Sequence, residues 1–165
     1  CGQVNLEFRE IQLGEWVESV GLFLKEDFTS AQVEMVYDLQ HSGPVRMDPD
    51  RMRRVLVNIA GNAKDVMAVG GRLTIATRKS EQWWEPEVAD NGSGIPTDIR
   101  PRIFEPFVTS GKEEGTGLGL AIVREIVQGH GGTIDLDSRI AGEVDGKAPG
   151  TTFILRFPLD PAAPV

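Results

Sequence analysis

Residues Ile103–Gln128 read IFEPFVTSGKEEGTGLGLAIVREIVQ. An aromatic-proline segment leads into a polar loop carrying Lys112. Glycines follow at Gly115, Gly117 and Gly119, and then an apolar helical pattern. Backbone N–H groups at a glycine-rich helix start form a cradle for phosphate. Glycines also end strands and make turns. The stretch therefore acquires a meaning only if the flanking chain supplies a metal ligand, a base-recognising group and a scaffold.

Upstream, Asp48-Pro49 predicts a helix start, with aspartate as N-cap and proline at the first helical position. The helix runs to about Met67 and carries an apolar face of Met52, Val55, Leu56, Ile59, Ala63 and Val66. At ~100° per residue, Asn58, Asn62 and Asp65 share a sector of roughly 60° bordering that face. Asparagine is a poor helix former. Two of them one turn apart, beside a carboxylate, read equally as a solvated flank or as a site. Next, Arg72–Arg78 and Trp84–Asp90 read as an outgoing and a returning strand, with a bulge expected near Trp84 because Pro86 cannot donate to a ladder. Asp90-Asn91-Gly92-Ser93-Gly94-Ile95-Pro96 closes the second strand. An acceptor-only carboxylate there suits an amino group on a flat ring, and the glycines let a ring approach the backbone. A plain Asp-led turn is the alternative.

Further out, Val4, Leu6 and Phe8 alternate as a short strand. Trp16, Val17, Val20, Phe23, Leu24 and Phe28 predict a one-faced helix over Leu13–Phe28. Gln32–Leu39 alternates again, with Val33, Met35 and Tyr37 on one side, and Val45–Met47 is a brief extended piece. The helix after Gly117 ends near Gly129, and strands are expected at Thr133–Ser138 and Thr151–Leu159, separated by a loop over Ala141–Pro149. His41 reads as a solvated turn residue, His130 as structural, and Trp83 and Trp84 as packing residues.

At 165 residues the chain suits one domain, expected over residues 1–159 with a tail or linker at 160–165. A net charge of −8 argues against a nucleic-acid surface but leaves room for a local anion site. No apolar run approaches the ~18 residues a membrane span needs, so no direct membrane contact is expected. The N-terminus lacks both a signal peptide and an initiator methionine, so a piece of a longer protein is expected. Cys1 is the sole cysteine, which fits a reducing compartment and a cytoplasmic location.

NIAGNAKDVM, DNGSGIP, IFEPF and GTGLGLAIV, in that order, resemble the catalytic, ATP-binding domain of sensor histidine kinases, part of the wider group that includes gyrase, Hsp90 and MutL ATPases. The resemblance spans roughly Val4–Leu159, and NAKDVMAVGGRLTI looks closest to the nitrogen-regulation type. It implies an α/β two-layer sandwich of the Bergerat type, a mixed β-sheet covered on one face by three helices. It also implies ATP and Mg2+ as cofactors. Asn62 matches the magnesium ligand, with Asn58 lining the phosphate side and Asp65 nearby. Asp90 matches the acceptor of the adenine amino group, with Gly92, Gly94 and Ile95 beneath the ring and Thr151 supporting it. Phe104–Phe107 matches the anchor of a mobile lid, Phe107, Thr109 and Ser110 line it, and Lys112 stands where relatives have a lysine reaching the terminal phosphates. Relatives commonly read FTTK where this chain reads FVTSGK, so Gly111 is an apparent insertion before that lysine. Gly115, Thr116, Gly117, Leu118, Gly119 and Leu120 match the glycine box that closes the lid.

The implied reaction is transfer of the ATP γ-phosphoryl group to a histidine, with Asn58, Asn62 and Lys112 as the catalytic set. Neither His41 nor His130 resembles the acceptor motif. The acceptor is therefore expected on a helical dimerisation domain of the same protein, and a response-regulator receiver domain is the expected downstream partner. An ATP-hydrolysing relative would carry a glutamate base one turn before Asn62, where this chain has Asn58. A nucleotide-binding module without transfer activity is the other alternative.

Overall fold

The computed structural model describes residues 5–106 and 119–161. In chain order these form β1 (Arg9–Gln12), α1 (Leu13–Ser30), β2 (Glu34–Leu39), β3 (Pro44–Met47), α2 (Pro49–Val66), β4 (Arg72–Lys79), β5 (Trp83–Asp90), a 3-10 turn at Arg100–Arg102, α3 (Gly119–Gly129), β6 (Thr133–Arg139) and β7 (Gly150–Pro158). A five-stranded sheet runs in the order β2-β4-β5-β7-β6, while β1 and β3 pair separately. β2 lies parallel to β4, and the other neighbours are antiparallel. The sheet is thus mixed, and with the three helices it gives the α/β sandwich expected.

The sheet buries alternate residues. Leu73 and Ile75 of β4, Trp84 and Val88 of β5, and Phe153, Leu155 and Phe157 of β7 are all in the core. Facing them are Val17, Val20, Leu24 and Phe28 of α1, Val55, Leu56 and Ile59 of α2, and Val123, Ile126 and Val127 of α3. Each such side chain contributes about 1.5–3 kcal/mol over leaving it in water. The α1 stripe is narrower than expected: Phe23 is 57% exposed, its ring lying under the Arg53 guanidinium at 4.4 Å. Tyr37 is also exposed, because β2 edges the sheet and the phenol lies across α1 at Gly21, where a side chain would collide with it.

Helix starts are satisfied in two ways. Asp48 caps α2 as expected, its carboxylate accepting from Asp50 N and Arg51 N at 3.1 Å each, with Pro49 in the first turn. No side chain caps α1; instead Leu13 N and Gly14 N donate to the carbonyls of Gly43 and Ser42 at 2.9 Å. His41 is in that same turn and is half-buried rather than solvated, because its backbone is fixed to Thr77 of β4.

The first strand starts later than the alternation predicts, and Val4 lies outside the described residues. Ladder pairing begins at Arg9↔Met47. Just before it, side chains hold the segment: Glu7 N donates to the Asp48 carboxylate at 2.9 Å, and the Phe8 ring meets His130 edge-on at 5.3 Å. The bulge expected near Trp84 is absent. Pairing toward β7 passes from Trp84↔Phe157 to Glu87↔Ile154 in unchanged register, and Pro86 faces Thr77 on the β4 side. The missing N–H removes a rung without inserting a residue.

His130 is structural, as expected. Its Nε2 accepts from Asp48 N at 3.1 Å, so Nδ1 carries the proton and donates to the Ile126 carbonyl at 2.9 Å. The ring thereby joins the end of α3 to the start of α2. Burial lowers its pKa, against the Ile126 hydrogen bond and the Asp48 charge, which raise it. A base whose pKa falls on folding gives stability that is whole above its unfolded value of about 6.5 and is lost as pH falls through the lower folded value. Urea midpoints at pH 7.5 and 5.5 are expected to drop for the wild type and to drop less for His130→Gln. Asp48 does not contribute in that window. Burial raises its pKa, but the N–H donors of Glu7, Arg51 and Asp50 outweigh this and lower it, so it titrates at more acid pH.

Candidate functional site

The α2 flank carries Asn58 half-buried and Asn62 and Asp65 exposed. α3 crosses close above it: a Cβ at Gly119 would stand 3.8–3.9 Å from the Asn58 amide. Its next residue, Leu120, turns into the core.

Asp90 ends β5 between Leu73 of β4 and Thr151 of β7. Its carboxylate accepts from Gly92 N at 2.8 Å and from the Thr151 backbone. Burial raises its pKa, and those two N–H bonds only partly oppose the rise. Keeping a charge in this half-buried place costs stability, which marks a group retained for something other than folding.

The loop after Asp90 is closed on three sides. Gly92 packs between the strand end and α2, since a Cβ there would lie 3.0 Å from both Asp90 Oδ1 and the Val66 carbonyl. That contact brings the loop beside the α2 turn carrying Asn62 and Asp65. Gly94 has φ +80°, and a Cβ there would overlap the Arg139 carbonyl of β6. Asn91 Oδ1 accepts from Arg72 N at 2.7 Å and fixes the loop to the start of β4.

Three residues absent from the sequence reading complete this wall. Ser138 Oγ accepts from Ile95 N at 2.8 Å and lies 2.8 Å from the Thr151 hydroxyl. Arg100 Nε donates to the Ile95 carbonyl at 2.7 Å. The same guanidinium grips Glu143 at 2.6 and 2.9 Å, and these hydrogen bonds draw the Glu143 carboxyl down to about 2. A signal for Ser138 exists in the sequence: it follows Ile134 and Leu136 at the inward positions of β6, where a polar residue needs a partner. Arg100 and Glu143 are 43 residues apart and share no local pattern.

The structure therefore brings Asn58, Asn62, Asp65, Asp90, Gly92, Gly94, Ile95, Thr151, Gly119 and Leu120 onto neighbouring elements. Phe107, Thr109, Ser110, Lys112, Gly115, Thr116, Gly117 and Leu118 lie outside the described residues. Phe104 stands at the near end of that segment, edge-on to Phe153 at 6.3 Å. Among the described residues, no cluster of three or more His, Cys, Asp or Glu could cage a metal. The donors present are amide oxygens and one carboxylate on a helix flank. These are hard ligands that suit an ion keeping most of its shell from water and phosphate, as magnesium does.

The family described as histidine kinase-, DNA gyrase B- and HSP90-like ATPase matches residues 47–161, taking in α2, the Asp90 loop, α3 and both last strands. The chain belongs to that family. Within it the fold is that of a histidine-kinase catalytic domain. The catalytic domain of histidine kinase ThkA in a nucleotide-free form superposes with a TM-score of 0.82 at 29% identity, covering 95% of this chain and 99% of that one. Histidine kinase ThkA in complex with the response regulator protein TrrA gives a TM-score of 0.80 at 27% identity, over 96% of this chain and 44% of that one. The sensor histidine kinase ZraS of Escherichia coli (strain K12) is 32% identical over 94% of this chain, which spans 32% of that relative's length. No helix among the described residues is long and apolar enough to cross a membrane.

Proposed function

We propose that this histidine-kinase catalytic domain binds Mg-ATP between the α2 flank and the Asp90 loop and donates the γ-phosphoryl group to a histidine on a separate helical domain of the same protein. The observation that carries the reading is the Asp90 carboxylate, held half-buried against its own desolvation cost at the mouth of a loop closed by glycines. A carboxylate so placed accepts from the amino group of adenine, with Gly92, Gly94 and Ile95 offering a flat backbone floor and Thr151 buttressing it through Ser138.

Phosphoryl transfer asks the protein for positioning and charge stabilisation more than for covalent chemistry. Asn62 would hold magnesium, which when bound would neutralise phosphate charge, and Asn58 one turn earlier would line the phosphate side. Lys112 and the glycine box of residues 115–119 would complete the phosphate contacts. Asn58 argues against the hydrolytic relatives, because an amide cannot take a proton from water. The motif NAKDVMAVGGRLTI supports a place near the nitrogen-regulation type. The TrrA complex of the ThkA neighbour supports a response-regulator receiver domain as the downstream partner. We place the domain in the cytoplasm, where ATP is available.

Calorimetry of ATP binding with and without magnesium tests the metal assignment. Wild type is expected to bind more tightly with the ion, whereas Asn62→Ala binds with about the same affinity in both conditions. A full magnesium response in the variant would remove Asn62 from the ligand set.

A further inference from the structure

Ile95 is held at both ends of its backbone. Its N–H donates to Ser138 Oγ of β6, and its carbonyl accepts from Arg100 Nε at 2.7 Å. Arg100 can reach that carbonyl steadily only if the rest of its guanidinium is fixed. Glu143 fixes it, taking Nη1 at 2.9 Å and Nη2 at 2.6 Å in a two-pronged pair. Glu143 is itself anchored: its N–H donates to the Ile140 carbonyl at 3.2 Å, and its carboxylate accepts from Ile140 N at 3.3 Å. The pair lies at the surface, its side chains 20% and 27% exposed, so its two-pronged geometry rather than burial is what holds it.

The geometry points to Arg100 and Glu143 as positioning residues for base recognition, the pair acting as a strap from the β6–β7 loop to the backbone floor at Ile95. Neither residue has a place among the nucleotide contacts proposed above, and neither touches Asp90. The strap acts through Ile95, whose backbone must stay still if a flat ring is to lie over Gly92 and Gly94 with its amino group at the Asp90 carboxylate. With the strap cut, Ile95 keeps its Ser138 bond but loses the second anchor. The floor then tilts more freely, and discrimination for the amino group falls. The inference rests on the reading of Asp90 as the acceptor for that group.

Two measurements separate the inference from that reading. The first compares affinities for ATP and for purine riboside triphosphate, which lacks the amino group. Wild type is expected to prefer ATP, and Glu143→Gln and Arg100→Lys should each shrink that preference by about threefold to tenfold. The double variant should do little more than either single one, because one strap is cut in all three. Mere destabilisation would weaken both nucleotides alike and leave the ratio standing. The second measurement is amide hydrogen exchange at Ile95 without nucleotide, expected to be faster in Glu143→Gln at an unchanged unfolding midpoint. If wild type shows no preference for ATP, the Asp90 reading fails, and exchange at Ile95 still decides whether the strap exists. If wild type prefers ATP and the variants keep the full ratio, the strap has no part in recognition. Unchanged exchange at Ile95 would overturn the inference in either case.

Discussion

Asp90→Ala is expected to weaken ATP binding by roughly 10- to 150-fold, the loss of one hydrogen bond to a charged acceptor worth about 1.5–3 kcal/mol. The same substitution should leave the unfolding midpoint close to the wild-type value. Burial raises the Asp90 pKa, so the folded state holds its proton more tightly than the unfolded chain does. By linkage, stability then falls as pH rises through the window above the ordinary carboxylate value near 3.9. At neutral pH the ionised group is less favourable in the folded state than its protonated form; removing it relieves that desolvation but leaves the Gly92 and Thr151 N–H groups without their acceptor, so the two effects offset. Calorimetry beside thermal unfolding would show affinity lost while the midpoint stays nearly unchanged. Nucleotide affinity in the wild type should also decline as pH is lowered toward that raised pKa, where the carboxyl becomes protonated. A variant with lower stability and unchanged affinity would make Asp90 a structural residue.

Gly94→Ala should produce the largest combined loss. The residue sits at φ +80°, where a side chain costs about 1–2 kcal/mol from backbone strain alone. A Cβ would also overlap the Arg139 carbonyl, so the loop must move off β6, and the Ser138 bond to Ile95 moves with it. Gly70 supplies the control: its φ is +88°, but a Cβ there meets nothing within 4 Å. Gly70→Ala should therefore show only the strain, whereas Gly94→Ala should lose roughly a further 1–2 kcal/mol, within the range for single substitutions. Only Gly94→Ala should lose nucleotide affinity as well. Equal midpoints for the two variants, with affinity intact in both, would mean the loop does not need its seat against β6.

The local chemistry of the chain was readable where one short segment carries the whole instruction. Asp48-Pro49 announces the start of α2, and the cap forms with both bonds in place. The hydrophobic periods of α1, β4 and β7 place those elements within a residue or two of where they form. Asp90 and its glycines are legible because a carboxylate and backbone freedom at a strand end are local facts. What is not local was missed. Phe23 obeys the spacing of α1 yet faces Arg53, because α2 offers a cation there and the core is already filled by Val20 and Leu24. Pro86 looked disruptive, but a sheet tolerates one lost rung when Trp84 packs on Phe157 at 5.0 Å and both strands keep their register. The Arg100–Glu143 pair joins segments that only the closed sheet brings together.

This chain is expected to present ATP for attack by a histidine carried elsewhere in the protein. Incubation with γ-labelled ATP, with and without the helical phosphoacceptor segment supplied in trans, tests it most directly. The predicted result is no label on the chain alone, and acid-labile, base-stable label on the helical segment when both are present, reduced at limiting ATP by Asp90→Ala in line with its lost affinity. Stable label on the chain by itself, or release of free phosphate with none on the segment, would contradict it.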